Sequence, residues 1–321
     1  MVLKHSGYVP MCALKIESVF EKAGFPECVF QTLLVDGPTA SSLISRPEIA
    51  AVSFTGGLPA GQNVAEVAGR NMKKCVLELG GSDPFIVLED ADIEKAAKAG
   101  VAGRFLNSGQ TCISSKRFII ESSVVDEFTA AFVENTRKLK IGDPLDIETD
   151  LGPLVRDKQV SLLECQINDA VSMGAKVELG GGRVEGDGYY FSPVVLSNVS
   201  LDMQVMKEET FGPVAPIISV ETESEALDVA NATEFGLGAS IWSGDKDKIH
   251  VSCWDLWTSR CVFVLTPEKI ISKYMDDMDY TDFANNETRC GDKTWNKDDI
   301  AEYNRIRSHA QRIVDILTHE D

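Results

Sequence analysis

Short β-type runs alternate with amphipathic helical runs from Met1 to about Gly244, with glycine, proline or Asp-Gly turns at many of the junctions. That alternation is the strongest constraint on the fold. A strand followed by a helix and then a parallel strand packs the helix onto one face of a sheet, so a repeated order predicts a doubly wound α/β structure. Val2-Leu3 has the look of the end of a strand. Helices are expected over Met11–Ala23, Thr39–Ser45 and Ala60–Met72, and strands over Val29–Val35, Ile49–Phe54 and Cys75–Leu79. The same alternation resumes at Pro84–Leu88 and Asp92–Phe105. It continues through Arg117–Glu121, Asp126–Lys140, Val160–Met173, Lys176–Leu179, Tyr190–Leu196, Val214–Val220, Ser224–Ala232 and Ala239–Trp242. Gly180-Gly181-Gly182 precedes no helix, so it reads as a surface loop and not as a phosphate cradle.

The pattern changes after about Asp245. Thr266-Pro267 starts a helix, and Ile270, Ile271, Tyr274, Met275 and Met278 fall on one face. Asn296 caps another, with Ile300, Tyr303, Ile306, Ala310, Ile313 and Leu317 at helical spacing. The expected architecture is an incomplete dinucleotide-binding sheet over 1–82, a second α/β domain over 83–265, and a helical tail over 266–321.

The formal net charge is −19, which argues against binding nucleic acid or an anionic membrane by bulk charge. No apolar run is long enough to span a bilayer, and the first residues do not form a signal peptide. The eight cysteines form no Cys-x-x-Cys pair, which fits free thiols in a reducing compartment, with the cytoplasm expected and no metal site.

Cys112 differs from the other cysteines in its setting. It follows Asn107-Ser108-Gly109-Gln110-Thr111 at a helix-to-strand junction, where a thiol can be exposed and pre-aimed. For a cysteine taken alone, a buried structural role is the commoner outcome. Upstream stands Glu78-Leu79-Gly80-Gly81, and downstream Glu208-Glu209-Thr210-Phe211-Gly212-Pro213. Taken alone, Glu78 reads as a solvated strand-end acid, and Glu209 and Phe211 as a helix-end acid and a core aromatic. A Cys–His hydrolase is the competing enzyme, but none of His5, His250, His309 and His319 lies in a motif that pairs it with Cys112.

The three segments, in this order, resemble the aldehyde dehydrogenase superfamily, and the order of elements matches it from Met1 to about Gly244. Val2-Leu3-Lys4-His5, Gly24-Phe25-Pro26, Phe30-Gln31-Thr32-Leu33-Leu34 and Leu79-Gly80-Gly81-Ser82-Asp83-Pro84-Phe85 are most similar to succinate-semialdehyde dehydrogenases. The resemblance implies that Cys112 attacks an aldehyde carbon, that hydride passes to NADP or NAD, and that Glu78 activates the water that releases the acid. It further implies cofactor contacts from Lys4, from Thr55, Gly56, Gly57 and Gly61 in a strand-to-helix turn, and from Leu79, Gly80, Glu209 and Phe211. Leu77, Leu79, Gly80 and Gly81 around Glu78 suggest a sheltered carboxylate. Gly57 stands where the family usually has Ser. Gly7 stands where NAD-preferring relatives often carry Glu, and a missing carboxylate there admits a 2′-phosphate.

The resemblance also has gaps. The family places a further strand and an oxyanion-hole Asn before the position of Lys4, and a Pro-Phe-Gly-Gly loop and a subunit-pairing strand beyond the position of Gly244. Members acting on ω-carboxy aldehydes often have Arg six residues before the cysteine; here that place is Leu106, and Arg104 lies two further back. Two outcomes are therefore expected from sequence: an NAD(P)-dependent enzyme for an aldehyde such as succinate semialdehyde, or a truncated, non-catalytic relative. Family members form homo-oligomers through the strands that have no match here.

Overall fold

A computed structural model of the chain describes residues 1–245, Leu256 and the backbone of Cys261–Val264. The expected helical tail over 266–321 lies outside the described residues. The described chain forms two compact units, Met1–Thr55 with Pro59–Glu78, and Gly56–Leu58 with the residues from Leu79 onward.

The first unit contains two pairs of parallel strands. Strand β1 (Val2–Leu3) pairs with β2 (Gln31–Thr32), and helix α1 (Pro10–Lys22) connects them. Pro10 at the first turn presets the helical φ. Phe20 stacks on Phe30 with ring centroids 4.4 Å apart, and the Thr32 hydroxyl donates to the Ala13 carbonyl at 3.0 Å. Helix α2 (Gly37–Ile44) starts at Asp36, whose carboxylate accepts from the Thr39 N–H at 2.9 Å. Strand β3 (Ala51–Thr55), helix α3 (Leu58–Arg70) and strand β4 (Lys74–Glu78) make a βαβ unit. Its small core is Ile44, Val64 and Ala68, with Val52, Phe54, Val67 and Leu77 against them. The β-type run expected over Val29–Val35 condenses to two paired residues, because β2 has only the two-residue β1 as a partner.

The second unit is built on a seven-stranded sheet. In chain order the strands are β5 (Asp83–Val87), β6 (Ser115–Glu121), β7 (Lys176–Leu179), β8 (Val194–Ser197), β9 (Val214–Val220), β10 (Ala239–Trp242) and β11 (Cys261–Val264). They lie side by side as β11-β10-β5-β6-β9-β8-β7, and only the β7–β8 pair is antiparallel. Side chains alternate between the faces of a strand. Phe85, Val87, Phe118, Ile120, Val195, Ala215, Ile217 and Trp242 therefore meet helices α4 (Ile93–Phe105) and α5 (Val125–Arg137) on one face. Ile86, Ile119, Val194, Leu196, Val214, Ile218, Val220 and Ile241 meet α6 (Asp157–Ser172), the short α7 (Gln204–Lys207) and α8 (Glu223–Asn231) on the other. Burial on both faces explains why these strands read as continuous apolar runs. Caps set the helix starts: Asp92 accepts from Lys95 N–H at 3.1 Å, and Thr222 from Glu225 N–H at 3.2 Å. No helix among the described residues is long and apolar enough to cross a membrane.

Candidate active site

Between α4 and β6 the chain makes a tight turn, Leu106–Gly109, in which Asn107, Ser108 and Gly109 all have positive φ. Left-handed backbone at non-glycine residues is strained and persists only where surroundings hold it. Here the Asn107 side chain donates to the Gln110 carbonyl at 3.1 Å, and the Ser108 hydroxyl to the Gly152 carbonyl at 2.8 Å. The Gln110 side-chain oxygen accepts from the Val155 N–H at 2.9 Å. Gly109 is required: φ is +72°, and a Cβ would lie 2.4 Å from the Gly212 carbonyl oxygen. The turn thus carries the chain to a half-buried Cys112 while pressing against Gly212-Pro213. Cys12, Cys28, Cys75, Cys112 and Cys165 are all free thiols, and the other four are more exposed than Cys112. Exposure alone therefore does not single out Cys112; its surroundings do.

Three buried cations organise those surroundings. Arg104, fully buried on α4, donates to the Val214 carbonyl at 2.5 Å, the Ser114 hydroxyl at 2.6 Å, the Thr210 carbonyl at 2.8 Å and the Gly212 carbonyl. Arg117 on β6 donates to the Ser82, Val229 and Ala230 carbonyls at 2.8–2.9 Å, capping the carboxyl end of α8. Lys116 donates to the Thr111 carbonyl at 2.9 Å and the Cys112 carbonyl at 2.7 Å, and pairs with Glu209 at 3.2 Å. Most of these acceptors are carbonyls of loops and of the end of α8. Burial pushes Arg104 down to about 9 and Arg117 down to about 10, so both stay charged at neutral pH.

Glu209 closes the cluster. Its carboxylate accepts from the Gly81 N–H at 3.2 Å. A Cβ at Gly80 would lie 2.3 Å from its Oε2, and one at Gly81 would lie 2.8 Å from the Cys112 carbonyl oxygen. The paired glycines are thus the contact surface on which the cysteine turn and the Glu209 segment meet. Gln166 of α6 donates to the Glu208 carboxylate at 3.1 Å, steadying the Glu208–Gly212 segment. Phe211 is half-buried in that segment. Leu79, Gly80, Cys112, Glu209 and Phe211 therefore belong to one unit, whose charged groups gather at the amino ends of β5, β6, β9 and β10.

The other sequence-identified residues belong to the first unit or to the turn leaving it. Thr55 and Glu78 are register partners at the carboxyl ends of β3 and β4, and Lys4 directly follows β1. Carboxyl ends of parallel strands are the usual place for a ligand in an α/β sheet. Gly56 and Gly57 lead into α3, and Gly61 is buried within it. The first turn of α3 has no acidic residue, and a Cβ at Gly57 would meet nothing within 4 Å. A phosphate has room there, and the first helical turn brings it no repelling charge. Glu78 is exposed, contrary to the sheltered position expected, because among the described residues β4 has a strand neighbour on one side only.

Asp83 was not singled out by sequence. It begins β5, is 7% exposed and accepts from the Gly238 N–H at 3.1 Å. Burial raises its carboxyl to about 6 from 3.8, despite the opposing pull of Lys116. Between these two pH values the folded chain keeps a proton that the unfolded chain has lost. The group's contribution to stability is therefore greatest below the unfolded pKa and declines as pH rises to about 6. A shift of this size corresponds to about 3 kcal/mol. Asp83→Asn is expected to raise stability by up to that amount at pH 8 and by about half of it at pH 5, in paired urea unfolding curves. Equal effects at the two pH values would contradict this.

Residues 1–259 match the family model for the aldehyde dehydrogenase family. The NADP(+)-dependent succinate-semialdehyde dehydrogenase 1 of Mycobacterium tuberculosis is 43% identical over 245 residues, covering 76% of this chain and 54% of that protein. A succinic semialdehyde dehydrogenase structure from Streptococcus pyogenes, in complex with NADP+, superposes with TM-score 0.79 at 34% identity, covering 82% of this chain and 58% of that one. Lactaldehyde dehydrogenase from Escherichia coli also superposes with TM-score 0.79 at 34% identity, covering 84% of this chain and 57% of that one. The α/β fold and these matches define an aldehyde dehydrogenase-type protein. The chain belongs to the aldehyde dehydrogenase family, and it spans about half the length of the curated relatives it matches.

Proposed function

We propose that the site oxidises an aldehyde to its carboxylic acid with NADP or NAD, through Cys112. The supporting observation is the meeting of Gly80-Gly81, the Cys112 carbonyl and the Glu209 carboxylate around Lys116. In this reading the Cys112 thiolate adds to the aldehyde carbon, giving a thiohemiacetal once the oxygen takes a proton. Loss of that proton and of a hydride leaves a thioester on Cys112. The nicotinamide nucleotide, when bound, supplies the hydride acceptor. Glu78 takes a proton from water as it attacks the thioester carbon, and the acid departs with return of the thiolate. Lys4, Thr55, Gly56, Gly57, Gly61, Leu79, Gly80, Glu209 and Phe211 would hold the nucleotide.

Gly7 favours NADP: it brings no carboxylate, and a Cβ there would meet nothing within 4 Å. The substrate we propose is a short ω-carboxy aldehyde such as succinate semialdehyde, by kinship with the mycobacterial enzyme. Arg104 does not serve as the partner for its carboxylate, because its guanidinium is buried and committed to the 210–214 segment and Ser114. Calorimetric titration is expected to show tighter binding of NADP than NAD, and a clear NAD preference would contradict the argument from Gly7. Incubation with succinate semialdehyde and NADP should yield NADPH, and Cys112→Ser should abolish it. Binding of nucleotide without any NADPH would favour a non-catalytic relative.

A further inference from the structure

Lys116 is buried without water contact, its side chain 0% exposed, yet nothing in the reaction above uses it. A lysine ammonium has three N–H donors. All three have an acceptor: Thr111 O at 2.9 Å, Cys112 O at 2.7 Å and Glu209 Oε1 at 3.2 Å. If the site needed only bulk, methionine would fill the space without the cost of burying a charge. The lysine instead ties the peptide that carries the thiol to the carboxylate that the functional reading assigns to the nucleotide. Gly81 closes the loop, since it donates to the same Glu209 oxygen at 3.2 Å and leaves no space between itself and the Cys112 carbonyl.

We propose that Lys116 is a positioning residue that fixes the Cys112 peptide and transmits the state of the Glu209 carboxylate to the thiol. The proposal rests on the reading of Cys112 as the nucleophile. The lysine charge is held 2.7 Å from the carbonyl of the peptide that carries the thiol, and Glu209 at 3.2 Å offsets part of its field. A ligand drawing on Glu209 would release more of the lysine's field to the thiol. A merely structural lysine would affect stability and leave the reactivity of the folded protein unchanged.

The test is a double-mutant cycle read by mass-mapped iodoacetamide labelling of the folded chain, without nucleotide or substrate. Cys165, exposed on α6 in the same unit, is the internal reference. Lys116→Met is expected to slow Cys112 labelling by about tenfold while Cys165 changes less than about twofold. Glu209→Gln is expected to speed Cys112 labelling by about threefold, and to do so only while Lys116 is present. An unchanged Cys112 rate in Lys116→Met, or an equal Glu209→Gln effect in both backgrounds, would overturn the proposal. Should Lys116→Met fail to fold, Lys116→Gln takes its place, removing the charge while keeping an N–H donor for the carbonyls. Because the labelling needs no turnover, its failure is separate from failure of the dehydrogenase reading, which the NADPH assay decides.

Discussion

Arg104→Met is expected to destabilise the second unit by about 3–5 kcal/mol, the usual cost of leaving a buried polar network without its charged member. Methionine nearly matches the aliphatic stem, so little packing is lost. What disappears is a guanidinium that serves five acceptors, the carbonyls of Val214, Thr210 and Gly212 and the hydroxyls of Ser114 and Thr210. The Thr210 and Gly212 carbonyls keep one backbone donor each, the Gly212 N–H at 3.1 Å and the Val214 N–H at 2.8 Å, but all three carbonyls lose the charged donor that ties them to α4. The segment released is Thr210–Val214, which also seats Gly109 and carries Glu209, so the Cys112 turn should loosen with it. For a unit of this size the loss corresponds to a Tm lower by roughly 10 °C. Differential scanning calorimetry checks the stability change, and labelling of Cys112 checks the loosening. A Tm within about a degree of the parent would show that the buried arginine is not what holds the two segments together.

Glu78→Gln is expected to separate the two halves of the proposed reaction. The amide keeps the shape of the carboxylate but cannot take a proton from water. Loss of a general base slows the step it serves by about 10²–10⁴-fold. Formation of the thioester does not need that base, so one equivalent of NADPH should still form, followed by near-arrest. Stopped-flow recording at 340 nm would show a burst of undiminished amplitude and a steady phase reduced by that factor. Glu78 is exposed at the end of β4, so the substitution should leave the stability of the β3–β4 pair unchanged. Equal loss of burst and steady phase would move Glu78 from the hydrolytic step to an earlier one.

Much of the fold is legible in the residues. Gly24 after α1, Asp36 before α2, Asp92 before α4 and Thr222 before α8 mark helix ends by chemistry that acts within four residues. The strands buried on both faces, such as Phe118–Ile120 and Val214–Val220, announce themselves as apolar runs. Short elements are less visible. The four-residue α7 carries too few turns to show a period, and β2 is defined by its partner more than by its own sequence. In the candidate site, the glycine pair, Cys112 and Glu209 stand out as motifs, but the residues joining them do not. Arg104 and Val214 are 110 positions apart, and Lys116 and Glu209 are 93 apart, so no local pattern reports their pairing. A lysine or arginine next to a strand start reads as solvated until the fold shows it enclosed. Asp83 is hidden for the same reason.

The most direct measurement is peptide mapping of the Glu78→Gln chain after incubation with succinate semialdehyde and NADP. A succinyl thioester is expected on Cys112, equal in amount to the NADPH released and removed by neutral hydroxylamine. NADPH formed while Cys112 stays unmodified, or an acyl group carried by another residue, would contradict it.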